Sequence, residues 1–561
     1  MRPSTTARHL RHTAFAKAGA GVLAASLGLG VLAACSTDSA TASGTSEETG
    51  TSSADDATTD TPTTDGDATT STAAVATTGS TTVADALAAN LAYEEGDADY
   101  DASSAVAITL EGDTASTDGD GVTVDGRTVT ITASGTYVLS GTLTDGQVVV
   151  NSTDDGVVRL VLDGADITSS TTSPLQVTDA KSVVVVLADG SENALTDAAT
   201  YVYADGVDEP NAALFSTADL TIAGTGALSV TGSAYDGITS KDGLVIAGGD
   251  ITVTAVDDGV RGKDYLVVTG GTLTVEAGGD GLKSDDTEDG TAGYVALLGG
   301  TATVTAGDDG VAAQTDALVA DGTLAVDAVD DGVKGEAEVV LDGGAVTVTA
   351  STEGVEGATV ALAGATVDVT ASDDGINAAS DVVAEPWILV SAGSVLVSCD
   401  GDGIDANGAF TVTGGDVVVN GPTNDGNGAF DVDGTFDVSG GTLLAVGSAG
   451  MAVAPSTESS QGWLSAQVTA AAGSSVVVTD ASGAEIASFT TAKQVASVVY
   501  SSAEVTAGES YTVTVDGGAG VTVTAGEHTG GMGGGGGMPG GMGGADGERP
   551  PGAPAGGDAR P

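Results

Sequence analysis

The chain has 561 residues, with 79 acidic against 15 basic side chains, a formal charge of −64, 86 glycines and only 3% aromatics. So acidic a protein is a poor partner for nucleic acid or an anionic membrane surface, both of which need basic patches; divalent cations, cationic surfaces and neutral polymers remain. Its histidines are His9, His12 and His528, all outside the main body, which excludes histidine triads, imidazole bases and histidine zinc sites there.

Residues 1–34 hold Arg2, Arg8, Arg11 and Lys17, no acid, and an apolar run from Ala18 to Ala34. A charged start, an apolar middle and small residues before a cysteine read as an export signal rather than a core helix. Leu32-Ala33-Ala34-Cys35 resembles a bacterial lipobox, which implies a lipidated Cys35 as first mature residue. The expected location is extracellular: a cell-surface lipoprotein on the outer leaflet of the cytoplasmic membrane, touching the membrane only through its lipid. The alternative is an uncleaved anchor of about 17–20 residues. Residues 35–82 are almost all Ser, Thr, Ala, Asp and Gly and read as a disordered tether. VADALAANLAYEE (83–95) has helical spacing and, within 83–100, is expected to cap the domain that follows.

From 101 to 453, short runs such as LVIAGGDITVTA and YLVVTGGTLTVEA alternate with Gly and Asp, the pattern of short strands between turns. Acidic-glycine turns begin at Asp236, Asp258, Asp280, Asp309, Asp331, Glu353, Asp374, Asp402 and Asp425, a spacing near 22 residues that lengthens at 280–309 and 374–402. A period of that size is one coil of a stacked β-helix, because a single coil cannot bury its own apolar face. Propeller blades need about 40 residues. The expected fold is therefore all-β: a right-handed parallel β-helix of roughly fifteen coils, near 70 Å long at 4.8 Å each. A small C-terminal β module (454–527) and a disordered Gly/Met/Pro-rich tail (528–561) follow it. A monomer is expected.

Stacking places equivalent acids in columns. Two unit charges 4.8 Å apart repel by roughly 3.5 kcal/mol at an effective dielectric of 20. Asp257, Asp258, Asp280, Asp308, Asp309, Asp330 and Asp331 repeat that term, and Lys263, Lys283 and Lys334 offset only part of it. A hard divalent cation taking oxygen ligands fits the remainder, and calcium is the expected cofactor. Asp236 and the downstream acids Asp242, Asp264, Asp285, Asp286 and Asp316 join the candidate ligands. Taken singly, each Asp-Gly pair is only a favoured turn. Neither a complete EF-hand loop nor the nine-residue glycine-rich calcium repeat is present. Cys399, the only cysteine besides Cys35, reads as a buried free thiol.

Several phrases in order, among them TVTITASGTYVLSGTLTDGQVVV (128–150), NAALFSTADLTIAGTGALSVTG (211–232), DGITSKDGLVIAGGDITVTAVDDGVRGKD (236–264) and GGDGLKSDD (278–286), resemble the extracellular parallel β-helix carbohydrate-binding lipoproteins. SFTTAKQVASVVYSSAEVTAGESYTV (488–513) extends the resemblance to about residue 525. It implies a calcium-bearing β-helix, akin in fold to calcium-dependent pectate lyases, that binds cellulose- or pectin-like polysaccharide, with metal ligands at the Asp-Gly turns and downstream acids. Glu353 in place of a turn Asp, and AQTD (313–316) in place of a Lys-bearing segment, depart from that pattern.

Non-catalytic polysaccharide binding competes with two other functions. In a lyase, Lys263, Lys283 or Arg261 abstracts a proton, but a dense acidic field keeps lysine charged and opposes that role. A structural or adhesive surface protein needs no sugar ligand at all. Both long intervals gain their extra residues in the same half of the coil, so both loops should leave one side of the rod. Each brings an aromatic, Tyr294 and Trp387, expected with Lys283 to contact polysaccharide. The alternative is that the two rings plug the core.

Overall fold

In a computed structural model the described residues are 79–529, apart from 205 and 381–382. The expected signal peptide, Cys35, the tether up to residue 78 and the tail beyond 529 lie outside them. The described chain is nearly all β, a solenoid of about 13 turns with one helix. That is roughly 60 Å of stacked coils at 4.8 Å each, shorter than the fifteen coils expected.

One coil shows the plan. Asp236–Ser240, Gly243–Ile246 and Asp250–Ala255 are its strands, and each pairs in parallel with its counterpart in the next coil: Ile238 with Val260, Leu244 with Leu266, Ile251 with Leu273. The stack thus has three faces, called here the turn sheet, the covered sheet and the open sheet. The open-sheet strand Asp250–Ala255 alternates exposed and buried residues along its length, as a sheet with one wet face must. The covered-sheet strands Gly243–Ile246, Tyr265–Val268 and Tyr294–Leu297 are buried at every position, which matches their unbroken apolar sequence. Inside, Ile251, Leu273, Ala302, Leu324 and Val346 stack in one ladder within a continuous apolar core.

Packing dictates the glycine of each Asp-Gly turn. A Cβ on Gly259 would lie 2.3 Å from Val275 Cγ1 and 2.7 Å from the Gly281 carbonyl oxygen, so no side chain fits there. Its N–H donates to the Asp280 carbonyl at 2.8 Å, tying one turn to the next. The glycine pairs between covered and open sheets serve a different need. Gly271 and Gly300 have φ of 83° and 78°, the left-handed region that glycine enters without steric cost.

The N-terminal segment is what covers the second sheet. The helix Val83–Ala89, capped by Thr82, and the extended residues after it run lengthwise along that flank. Val83 N donates to Asp342 Oδ2 at 2.8 Å, Leu91 N to the Thr291 carbonyl at 2.7 Å and Gly96 N to Thr221 Oγ1 at 2.9 Å. Val83 and Ala86 pack against Val245, Val267, Ala296, Leu318 and Val340. The segment expected as a cap is therefore a strap, drawn to the long apolar flank because burying it removes more apolar surface from water than one coil end offers.

Antiparallel strands close on the terminal coils. Ala115–Thr117 pairs with the first strand, Val106–Gly112, and Val495–Ser501 of the C-terminal module pairs with Thr442–Gly447 of the last coil. Pairing of this kind blunts the exposed strand edges that a stack of parallel coils leaves at its ends. The module's strands Ser475–Asp480, Glu485–Thr490, Ser510–Val515 and Val521–Thr524 form a separate antiparallel sheet. Among the described residues no helix is long and apolar enough to cross a membrane.

Candidate metal-binding and carbohydrate-binding edge

At each turn the chain leaves the open sheet, passes one or two acids and a glycine, and enters the turn sheet. The first acid of a pair faces water and the second faces inward: Asp257, Asp308 and Asp330 are exposed, whereas Asp258 and Asp331 are buried and Asp309 is half-buried. The inner carboxylates form a ladder. Asp258 Oδ1 accepts from Asp280 N at 3.0 Å, Asp280 Oδ1 from Asp309 N at 3.0 Å, and Asp309 Oδ1 from Asp331 N at 2.9 Å. The motif resumes with Asp374 and Asp402, which accept from Asp402 N and Gly428 N, both at 2.6 Å. One oxygen of each acid thus offsets its charge with a backbone donor of the next coil, and the other remains for a cation.

The cations come from the adjoining column of the turn sheet, where Thr239, Arg261, Lys283, Ala312, Lys334, Glu356 and Asn377 stand in register. Lys283 Nζ bridges Asp258 Oδ2 at 2.9 Å and Asp280 Oδ2 at 2.8 Å. Lys334 Nζ lies 2.7 Å from Asp331. Arg261 binds Asp285 through Nε and Nη2, the closest contact 2.7 Å. At Ala312 the column has no cation. Burial and the Asp331 and Asp280 carboxylates push the adjacent Asp309 up to about 7, and burial with Asp258 does the same to Asp236.

Among the described residues, oxygens close enough to share an ion occur in four sets: Asp236, Asp257 and Asp258; Asp280, Asp308 and Asp309; Asp309, Asp330 and Asp331; and Asp331, Glu353 and Glu356, the atoms of each within 4.8 Å of one another. Every donor is a carboxylate oxygen, which fits a hard divalent ion and not a thiol- or imidazole-seeking one. The two sets that share Asp309, beside Ala312, are the least occupied by lysine, since Lys283 and Lys334 reach only their outer members, Asp280 and Asp331.

The downstream acids do not join these sets. Asp242, Asp264 and Asp286 lie at the other end of the turn-sheet strand, where the chain enters the covered sheet, since a short extended strand separates the two corners. There burial and a hydrogen bond shared with Asp242 push Asp264 up to about 7, and Lys263 holds Asp286 at 2.8 Å. Asp285 is taken by Arg261. Asp316 lies at that same second corner, buried under the strap with Asn90 Nδ2 donating to it at 2.9 Å. The ligand set expected from sequence is therefore two separate columns.

Both long loops do leave one corner, between Leu282–Ser284 and Tyr294–Leu297 and between Ile376–Ala378 and Trp387–Cys399. Tyr294, however, is fully buried. Its ring stacks on Tyr265 at 5.7 Å and its hydroxyl donates to the Leu91 carbonyl at 2.8 Å, so the strap occupies the face that a sugar would need. Trp387 is half-buried at the margin of the same cluster. Lys283 is partly buried, its ammonium engaged by Asp258 and Asp280.

Sequence reasoning passed over Glu356 and Asn377, whose column position appears only once the coils are in register. It also passed over the tyrosines of TYVYADGVDEP (200–210), although aromatics are scarce enough in this chain to have drawn notice. Cys399 is buried, and burial pushes its thiol up to about 12, so it is an inert packing residue.

A family model described as carbohydrate-binding domain-containing protein matches residues 125–331 and again 318–532. The chain belongs to this family. A curated relative from Acetivibrio thermocellus, itself described as a carbohydrate-binding domain-containing protein, is 41% identical over 150 residues, 26% of this chain and 52% of the relative. The chain thus spans about half the length of the relative it matches. A solved structure titled as the polysaccharide lyase-like protein from C. thermocellum, gadolinium derivative, is 33% identical, with a TM-score of 0.38 over 47% of this chain and 93% of that one. As a member of the carbohydrate-binding domain-containing proteins, the chain carries all its candidate turn acids inside the matched segments.

Proposed function

We propose that the protein is an exported, lipid-anchored and calcium-stabilised binder of polysaccharide that does not cleave its ligand. The observation that carries this reading is the family match along the solenoid, on a rod whose acidic turns form one straight edge. A rigid repeat of this kind offers an extended polymer the same contact many times over.

The charge state of the three candidate bases supports binding without cleavage. Burial opposes the charge on Lys283, but its bonds to Asp280 and Asp258 outweigh this and hold its pKa above the ordinary value. The hydrogen bond that Lys263 donates to Asp286 raises Lys263 in the same way, and Arg261 is likewise raised, its carboxylate partners outweighing burial. All three candidate bases stay protonated at neutral pH, the wrong state for abstracting a proton.

Asp308, Asp309, Asp330 and Asp331 would hold calcium beside Ala312, with glycine-turn carbonyls available to complete the shell. There a bound ion would supply positive charge to offset that of the column. In native gels containing hydroxyethylcellulose or pectate, with calcium, the expected result is retarded migration in at least one of the two. Unchanged mobility in both would remove polysaccharide as the ligand.

Cys35 carries the proposed anchor, and the described chain acts as a monomeric rod held at the cell surface. Cys35→Ala is expected to abolish incorporation of labelled fatty acid and leave precursor unprocessed; normal labelling of that variant would exclude the lipobox.

A further inference from the structure

The corner that carries the acidic ladder also gathers apolar surface that an acidic, soluble protein would otherwise hide. Before Asp236 the chain makes a long excursion, residues 197–211, between the strands Glu192–Thr196 and Ala212–Ser216. Ala212 pairs with Asp236 in the next coil, so the excursion leaves the rod at the turn corner, one coil ahead of Asp236. It carries Tyr201 and Tyr203, and Tyr235 joins them from the next turn.

The rings form a fixed group. Tyr201 and Tyr235 meet edge to face at 5.3 Å, and Tyr203 lies 5.8 Å from Tyr201 and 6.4 Å from Tyr235. Tyr201 is the buried member, its hydroxyl donating to Asp197 Oδ2 at 2.8 Å. Tyr203 is held by a 2.8 Å hydrogen bond to the Pro210 carbonyl, and it and Tyr235 are half-exposed. Val202 and Val207 on the same excursion are 76% and 49% exposed. Farther along the edge, Val256 and Val329, each just before a turn acid pair, are 61% and 66% exposed. Apolar surface therefore recurs along this edge, alternating with the exposed carboxylates Asp257, Asp308 and Asp330.

We infer that this edge is the polysaccharide site, with Tyr203 and Tyr235 as the stacking platform at its head, and that its ligand is a neutral glycan chain lying along the rod axis. This rests on the polysaccharide-binding reading and deepens it. A sugar ring presents an apolar face of C–H groups and a polar rim of hydroxyls; aromatic rings and valines take the first, and carboxylates accept hydrogen bonds from the second. Charge selects among glycans. Arg261, Lys283 and Lys334 are engaged by carboxylates, and Lys241 by Glu209 at 2.7 Å. Wherever calcium is not bound, a polyuronate would meet exposed acids without a free side-chain cation, whereas a neutral chain meets no such repulsion.

The test titrates a cello-oligosaccharide and, separately with calcium, an oligogalacturonate into the parent and into the Tyr203→Ala/Tyr235→Ala variant. The expected result is binding of the neutral oligosaccharide by the parent, at least tenfold weaker in a variant with parental circular dichroism. A folded variant that binds as tightly as the parent, or a parent that binds only the oligogalacturonate, overturns this inference and leaves polysaccharide binding standing. A parent that binds neither overturns both. Because the double substitution can disturb the turn, tyrosine nitration of the parent is the second measurement. Saturating cello-oligosaccharide is expected to protect Tyr203 and Tyr235, and equal nitration with and without it overturns the assignment.

Discussion

Removing calcium with a chelator is expected to lower the melting temperature of the protein by roughly 3 °C for each site emptied, and Asp280→Ala combined with Asp309→Ala to abolish most of that calcium-dependent increment. The size follows from mass action: an ion held only by the folded chain stabilises it by about 2.7 kcal/mol at a hundredfold excess over its Kd, and in a folded unit of this length each kcal/mol moves the midpoint by about 1 °C. These two acids are chosen because they flank Ala312, where the cation column is interrupted, and because Asp280, Asp308 and Asp309 lie within reach of one ion. Each substitution also removes the acceptor of a backbone N–H, Asp280 from Asp309 N and Asp309 from Asp331 N, which lowers stability by about 1–3 kcal/mol on its own. The readout is therefore the difference between calcium and chelator, not the midpoint itself. Asp321→Ala, on an exposed turn outside the sets, should keep the full increment. Scanning calorimetry with metal content by mass spectrometry checks all of this; an equal increment in parent and double variant would return these acids to a role in solubility.

Without metal, the protein should become more stable as pH falls from 8 to 5. Burial first, and neighbouring carboxylates next, push Asp236, Asp309, Glu353 and Asp405 up to about 7 and Asp402 up to about 6. Asp316 reaches about 7 mainly through burial. A carboxyl whose folded pKa is raised contributes stability that is complete below its unfolded value and lost as pH climbs through the folded one. For groups as buried as Asp236 and Asp316 that loss approaches about 1.4 kcal/mol per pH unit between the two values. The trend ends on the acid side: despite burial, Lys263 and two backbone N–H groups hold Asp286 below its ordinary value, so its contribution is present above about pH 4 and lost beneath it. The metal-free optimum thus falls near pH 4. Saturating calcium should reverse the slope, since the ion displaces those protons and binds better as pH rises. Melting curves from pH 4 to 8 in chelator and in calcium check the sign, and a metal-free midpoint that climbs steadily to pH 8 would contradict it.

The solenoid was legible because its repeat is written twice per coil, in the acid-glycine turn and in the glycine pair. Gly259 shows why: a backbone packed against an inner valine and the next coil admits no other residue, so packing imposes the period on the sequence. The column of turn acids followed directly from that period. What the sequence did not reveal depends on contacts across the period. Asp242 and Asp264 sit only six residues past Asp236 and Asp258, yet one short strand carries them to another corner, which linear spacing does not disclose. Tyr294 looked like an anchor because aromatics are rare; the strap that buries it lies about 200 residues earlier in the chain. The apolar runs of the covered sheet did hold the clue, since strands such as Tyr265–Val268 with no polar position require cover on both faces. Tyr203 and Tyr235 went unnoticed because nothing local shows that a turn and a loop one coil apart bring their rings together.

The most direct test of binding without cleavage is a calorimetric titration of the calcium-loaded protein with cellulose- and pectin-type oligosaccharides, followed by chromatography of the sugars recovered from the cell. The account predicts heat of binding to at least one of them, retained in both Lys263→Met and Lys283→Met, and oligosaccharides recovered at their original length. Shortened products with unsaturated ends, formed by the parent and absent from those lysine variants, would contradict it.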